Sequence, residues 1–125
     1  MDFTTTAMAR PFIVDRTFKS FSKNLQGIDL QNCRLFINID PLPSNIKRKD
    51  VIVVARKYFK EVYYNLPKKA NFTAAVNWIW LNSSSEFIFH LEDDFEMIRL
   101  VDPKEIINIL ESEPDLALMR LPIFR

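Results

Sequence analysis

Apolar positions along the chain alternate between two kinds of spacing. Val14, Phe18, Phe21 and Leu25 fall at i, i+4, i+7 and i+11, one face of a helix, with Pro11 suited to its first turn. Arg34-Leu35-Phe36-Ile37-Asn38-Ile39 reads as a strand, stopped by Asp40-Pro41-Leu42-Pro43. Val51, Val54, Ala55, Tyr58 and Phe59 return to helical spacing, with Ser44 able to cap that helix. A strand follows at residues 61–65, then a loop at 66–69. Asn71 can cap a helix whose apolar face is Phe72, Ala75, Val76 and Ile79. Residues 86–91 are apolar without alternation, the pattern of a parallel strand covered on both faces. Asp102-Pro103-Lys104-Glu105 has the acidic cap, first-turn proline and glutamate of a helix start, and that helix ends before Pro114. Leu116-Ala117-Leu118-Met119, within residues 115–121, reads as a last strand.

With a short opening strand at residues 1–5, the order is βαβαβαβαβ. This alternation implies an α/β, Rossmann-like fold: a mostly parallel sheet with helices on both faces and right-handed crossovers. Ligands of such sheets bind beyond the carboxyl ends of the strands, where the strand order reverses. The search for chemistry therefore narrows to Thr4-Thr5-Thr6, Asp40, residues 65–69 and Glu92-Asp93-Asp94.

Composition removes several alternatives. The 125 residues suit one domain, 48% of them are apolar, and a net charge of +1 gives no general attraction to nucleic acid or anionic membranes. Gly27 is the only glycine, which excludes the P-loop and the dinucleotide-binding glycine motif. Cys33 is the only cysteine, so there is no disulfide within the chain and no thiolate metal cluster. The amino terminus lacks the basic and apolar regions of a signal peptide, and no apolar run approaches the ~18–20 residues of a membrane span. A cytoplasmic location without a membrane span is the expectation.

Glu92-Asp93-Asp94 follows directly on the apolar strand. Three adjacent carboxylates repel one another, and desolvating them is costly unless a cation or donor compensates. Mg²⁺ or Mn²⁺ does this with carboxylate oxygens, leaving phosphate to complete the shell. Glu92 and Asp94 would point the same way if the extended conformation persists. An acidic, solvated loop is the plainer alternative.

The run Phe87-Ile88-Phe89-His90-Leu91-Glu92-Asp93-Asp94-Phe95 resembles the strand and DxD metal motif of GT-A glycosyltransferases, in the EDD form of N-acetylglucosaminyltransferase I-like enzymes. Thr4-Thr5-Thr6-Ala7-Met8-Ala9-Arg10-Pro11 is similar to the family-2 start, a strand and polar turn ending in Arg-Pro. Asp40 matches the aspartate these families place on the uracil ring, and residues 71–78 resemble the helix before the DxD strand. The resemblance runs from Thr4 to Phe95, the nucleotide-binding half of the family's domain, and implies that the acceptor-binding half is lacking from these 125 residues.

What the resemblance implies is a nucleotide-sugar-binding domain with a UDP-sugar as the favoured partner. The turn at Thr4, Thr5 and Thr6 would contact the nucleoside, largely through backbone. Arg10 would neutralise the diphosphate, and Asp40 would accept from the base N–H. Asp94 would bind Mn²⁺ or Mg²⁺, with Glu92 as a further metal ligand or, like Asp93, reaching the ribose or a metal-bound water. Lys68 or Lys69 would add positive charge near the phosphates, unless that loop is simply solvated. The glycine that often precedes the small-residue helix is replaced by Lys68-Lys69-Ala70, and no residue matches a catalytic base. Glycosyl transfer from a nucleoside-diphosphate sugar is the reaction class expected. The alternatives are a catalytically incomplete nucleotide-binding or interaction module of the same fold, and a metal-dependent phosphoryl-transfer enzyme.

The remaining singular residues have structural readings. His90, the only histidine, is expected to be a hydrogen-bonded core residue. Trp78 and Trp80 cannot share a helix face, so one packs and the other is partly exposed. Lys47-Arg48-Lys49 reads as a solvated helix start.

Overall fold

A computed structural model describes residues 1–43 and 46–122. The elements are β1 (Asp2–Met8), α1 (Pro11–Asn24), a 3₁₀ turn (Leu30–Asn32), β2 (Arg34–Asp40), α2 (Arg48–Tyr58), β3 (Glu61–Asn65), α3 (Phe72–Asn82), β4 (Ile88–Glu92) and α4 (Pro103–Ser112). The strands form one wholly parallel sheet in the order β3-β2-β1-β4. The fold is therefore the Rossmann-like α/β arrangement expected.

Crossover handedness explains where the helices lie. The β1-α1-β2 and β2-α2-β3 units step in one direction along the sheet, so right-handed connections put α1 and α2 on one face. The β3-α3-β4 unit steps back past β2 and β1, which puts α3 on the other face, across β1 and β2. Strand order thus reverses between β1 and β4.

The α1/α2 face holds the main core. Phe3, Ala7, Leu35, Ile37, Ile39 and Leu91 from the strands meet Val14, Phe18, Phe21, Leu25, Val51 and Ala55 from the helices. Its centre is aromatic. Phe3 packs on Phe59 and Phe89 with ring centroids 5.5 and 5.3 Å apart, and Phe18 meets Phe59 edge-on at 5.4 Å. Five of the 11 phenylalanines, Phe3, Phe18, Phe21, Phe59 and Phe89, lie in this layer. Gly27, with φ +69°, supplies the left-handed residue that turns the chain after α1.

Residues 95–101 form an irregular strap back under α1. Met97 is buried, its N–H donates to Ser20 Oγ (2.9 Å) and its carbonyl accepts from Asn24 Nδ2 (2.7 Å). A parallel bridge between Leu25 and Val101 ends the strap. Among the described residues no helix is long and apolar enough to cross a membrane.

Five expectations need correction. The apolar strand before the acidic cluster is an edge strand: Ile88 and His90 are exposed, and only Phe89 and Leu91 turn toward the core. His90 is accordingly a surface histidine. Residues 115–121 form no strand, and Leu116, Leu118 and Met119 are exposed. Phe72 is exposed at the start of α3, while Ala75 and Ile79 carry its buried face. Thr4, Thr5 and Thr6 lie within β1, because the strand continues to Met8; the turn comes at Ala9 and Arg10. The expected cap Ser44 lies outside the described residues, and the N-cap position of α2 is Lys47, whose side chain makes no capping bond.

Candidate functional site at the carboxyl edge of the sheet

The reversal point between β1 and β4 brings Arg10 together with Asp93 and Asp94. Asp93 is buried, with one donor on each carboxylate oxygen. Its Oδ2 accepts from the Met8 N–H (2.9 Å), its Oδ1 from Arg10 Nη2 (2.8 Å), and its backbone carbonyl from Thr17 Oγ1 (2.7 Å). One carboxylate therefore staples the end of β4 to the turn between β1 and α1. Burial pushes its pKa up, against the opposing pull of the Met8 N–H and the Arg10 guanidinium. With both oxygens occupied, Asp93 is not placed to reach a ribose.

Arg10 also faces Asp94, at 3.8 Å, and its Nε is buried without a hydrogen-bond partner. Asp94 projects outward, with 52% of its side chain exposed. The extended conformation does not persist through the cluster. The chain turns after Glu92, with the Phe95 N–H directed to the Glu92 carbonyl (3.4 Å), so the three carboxylates take different directions. Among the described residues no three His, Cys, Asp or Glu side chains converge as a metal-binding group.

Strand register builds a polar row along this edge. Asn65, Asn38, Thr6 and Glu92 are successive partners across β3, β2, β1 and β4. In-register residues of a parallel sheet share a face, so all four point toward the α3 side. Thr6 Oγ1 donates to Glu92 Oε2 (2.6 Å), Asn65 Nδ2 to Asn38 Oδ1 (2.8 Å), and Asn38 Nδ2 to Asp40 Oδ1 (2.9 Å). Behind the row, Thr4 Oγ1 pairs with His90 Nδ1 (3.0 Å), and His90 Nε2 lies 3.3 Å from Glu92 Oε1. The His90 contact, more than the Thr6 hydroxyl, holds the Glu92 carboxyl below its usual range, against the effect of burial.

The remaining expected residues are dispersed. Thr5 faces the core, its hydroxyl buried without a partner. Thr4 is buried on the α3 side. Lys69 is exposed in the loop after β3, at the sheet edge opposite β4, as is Lys68. Arg48 is the basic residue built into this end of the fold. It is half-buried, and its guanidinium donates to the Ile39 and Pro67 carbonyls, tying the start of α2 to the ends of β2 and β3. The solvated helix start is thus confined to Lys47 and Lys49. A single asparagine inside Ile37-Asn38-Ile39 was the available signal for the polar row, since a lone amide among β-branched residues needs a partner.

A divalent cation can be tested against these groups. Asp93 is excluded, because both its oxygens are taken. Asp94 has an exposed carboxylate engaged only at 3.8 Å by Arg10, and Glu92 is half-committed to Thr6 and His90. This donor set fits an ion held by one or two carboxylates, with phosphate and water completing its shell. It does not form an all-protein cage.

The site as a whole offers acceptors at Asp40, Glu92 and Asp94 against one guanidinium. It suits a ligand with N–H or O–H donors, and it suits an anion only when a cation accompanies it. No family model matches the sequence, and no curated protein matches it either. The class the structure defines is the Rossmann-like α/β fold, with a polar, acidic carboxyl edge.

Proposed function

We propose that the chain is a nucleotide-sugar-binding domain of the GT-A type, serving glycosyl transfer from a nucleoside-diphosphate sugar. One observation carries the reading: Arg10, Glu92 and Asp94 stand at the reversal point between β1 and β4, with Asp40 at the end of the adjacent β2. That crevice is where open α/β sheets take their ligands. The sequence resemblance assigns nucleotide chemistry to the same four residues.

The roles follow from what each side chain leaves free. Asp93 holds Arg10 beside the crevice, and Arg10 meets the anionic diphosphate. Asp40 keeps one carboxylate oxygen for a donor on the base. Asp94 would hold Mn²⁺ or Mg²⁺, with Glu92 the second candidate ligand, and the ion's Lewis acidity would stabilise the departing nucleoside diphosphate. The net negative charge of the edge accounts for the metal requirement, since a diphosphate alone would meet more carboxylates than cations. Thr4, Thr5, Lys68 and Lys69 have no direct part in this reading, and no general base is assigned.

Calorimetry with UDP, GDP and CDP, each with and without Mn²⁺, tests the proposal. The expected result is metal-dependent binding of at least one diphosphate, lost in Asp94→Ala. Absence of binding to all three in the presence of Mn²⁺ would sink it. Release of phosphate from simple phosphoesters, without nucleotide preference, would replace it with phosphoryl transfer.

A further inference from the structure

Two threonines on β1 hold His90 and Glu92 on β4. Thr4 and Thr6 are their register partners, and all four side chains lie on the α3 face. Thr4, 0% exposed, meets His90 Nδ1 at 3.0 Å, and Thr6 donates to Glu92 Oε2 at 2.6 Å. Each hydroxyl takes the far atom of its partner. The near atoms, His90 Nε2 and Glu92 Oε1, are left facing each other at 3.3 Å, with 33% and 31% of the two side chains open to solvent. That gap is long for an N–H···O bond, which runs to about 3.2 Å. It is the spacing of two ligands on a tetrahedral Zn²⁺, about 3.3 Å for bonds of about 2.0–2.1 Å. A zinc-ligating imidazole has its other nitrogen fixed in this way, and a ligating carboxylate its second oxygen.

Two ligands are half of a tetrahedral set, and among the described residues no third His, Cys, Asp or Glu joins them. What adjoins them is an open strand edge. Among the described residues β4 pairs with β1 on one side only, and its five residues include no proline, lysine or arginine of the kind that guards an exposed edge. When a second copy of the chain pairs antiparallel with β4 in full register, the two-fold axis falls on the middle residue, which is His90. His90 then lies opposite His90 of the second copy, on the same face, with Cβ atoms about 4.5–5.5 Å apart. The two Glu92 side chains reach in from either side, and each copy supplies half of a two-histidine, two-glutamate set.

We infer that β4 is a dimerisation edge closed by Zn²⁺, held by His90 and Glu92 of each copy, which joins two four-stranded sheets into one. Imidazole and carboxylate at a tetrahedral spacing suit Zn²⁺ over Mg²⁺, which takes octahedral oxygen. Thr4 and Thr6 orient the ligands from the buried strand behind them. The inference stands apart from the nucleotide reading, whose metal rests on Asp94.

Sedimentation velocity and calorimetry of the full chain with Zn²⁺, and visible absorption with Co²⁺ in its place, test the inference. The expected result is a monomer in EDTA, a dimer with one Zn²⁺ per two chains, and the intense bands of tetrahedral Co²⁺. His90→Ala loses the dimer and the Co²⁺ bands and remains a folded monomer by urea unfolding. Thr4→Val keeps the dimer but binds Zn²⁺ about tenfold or more weakly, the cost of losing a group that orients a ligand. Zn²⁺ bound one to one by a monomer overturns the inference, as does a dimer that persists in EDTA or in His90→Ala. Weak octahedral Co²⁺ bands, or no binding of Zn²⁺ to the unaltered chain, overturn it equally. Stoichiometry and spectrum are read on the unaltered chain, so they decide the matter even where a variant fails to fold. Failure of every diphosphate to bind with Mn²⁺ removes the nucleotide reading alone.

Discussion

Two buried aspartates, each paired with a partly exposed arginine, close the two ends of β1, and they behave in opposite ways. At the amino end Asp2 accepts from Arg34 Nε (2.9 Å) and Nη2 (2.8 Å), and from the Ser84 and Ser85 N–H groups at 2.9 and 3.0 Å. At the carboxyl end Asp93 accepts one guanidinium bond and one backbone bond, with Asp94 close by. Burial raises the pKa of both. At Asp2 the donors outweigh it and bring the pKa down from 3.8 to about 2. At Asp93 burial prevails, helped by the charge of Asp94. A buried charge is stable only when its oxygens are saturated with donors.

The difference separates a lock from a site. The amino-end pair joins β1, β2 and the loop before β4, with four donors on the one carboxylate. The carboxyl-end pair leaves Arg10 Nε unpartnered and Asp94 facing solvent, so it has capacity for something else. The donors are saturated at one end of the strand and left with spare capacity at the other.

Urea unfolding of single variants breaks the comparison directly. Asp2→Asn is expected to cost about 3 kcal/mol, because an amide turns a donor toward at least one of four converging donors. Acid gives the next largest effect. Asp2 is depressed in the folded state, so its contribution is complete above about pH 4 and is lost as pH falls toward about 2. That loss amounts to about 2 kcal/mol and is absent in Asp2→Asn, which unfolding curves between those pH values check. Asp93→Asn is expected to cost only about 1 kcal/mol, since its oxygen still accepts from Met8 and burial already disfavours the charge. Asp94→Ala is expected to leave stability within about 0.5 kcal/mol and, under the proposed function, to abolish metal-dependent nucleotide binding. Equal costs for Asp2→Asn and Asp93→Asn would erase the distinction between the two ends.

Local chemistry in the sequence carried much of this. The face of Val14, Phe18, Phe21 and Leu25, the cap at Asn71 (accepting from the Ala74 N–H, 3.0 Å) and the Asp102-Pro103 helix start all occur where their spacing places them. The packed and exposed pair of tryptophans also follows, with Trp78 half-buried and Trp80 exposed. Each depends on residues within one or two turns of one another. The failures are of a different kind. An apolar run such as Phe87-Ile88-Phe89 states that a segment is strand-like, but not how many neighbours cover it, and among the described residues β4 has a partner strand on one side only. Leu116 to Met119 has strand composition without a strand beside it. The Thr4–Thr6 segment reads as a turn by its polar residues, yet it is buried strand, in which β4 satisfies the hydroxyls of Thr4 (with His90) and Thr6 (with Glu92) while that of Thr5 has no partner.

The order of elements from β1 to α4 was set by the sequence alone, because periodicity, caps and prolines act over a few residues; where β1 ends, and that residues 115–121 form no strand, were not. That order already implied a parallel α/β sheet with chemistry at its carboxyl edge. Strand order β3-β2-β1-β4 was decided only in three dimensions, and with it the meeting of Arg10 with Asp93 across 83 positions of chain. The row from Asn65 through Asn38 and Thr6 to Glu92 has the same origin. Its hydrogen bonds depend on register between strands, which side-chain spacing within one strand does not encode.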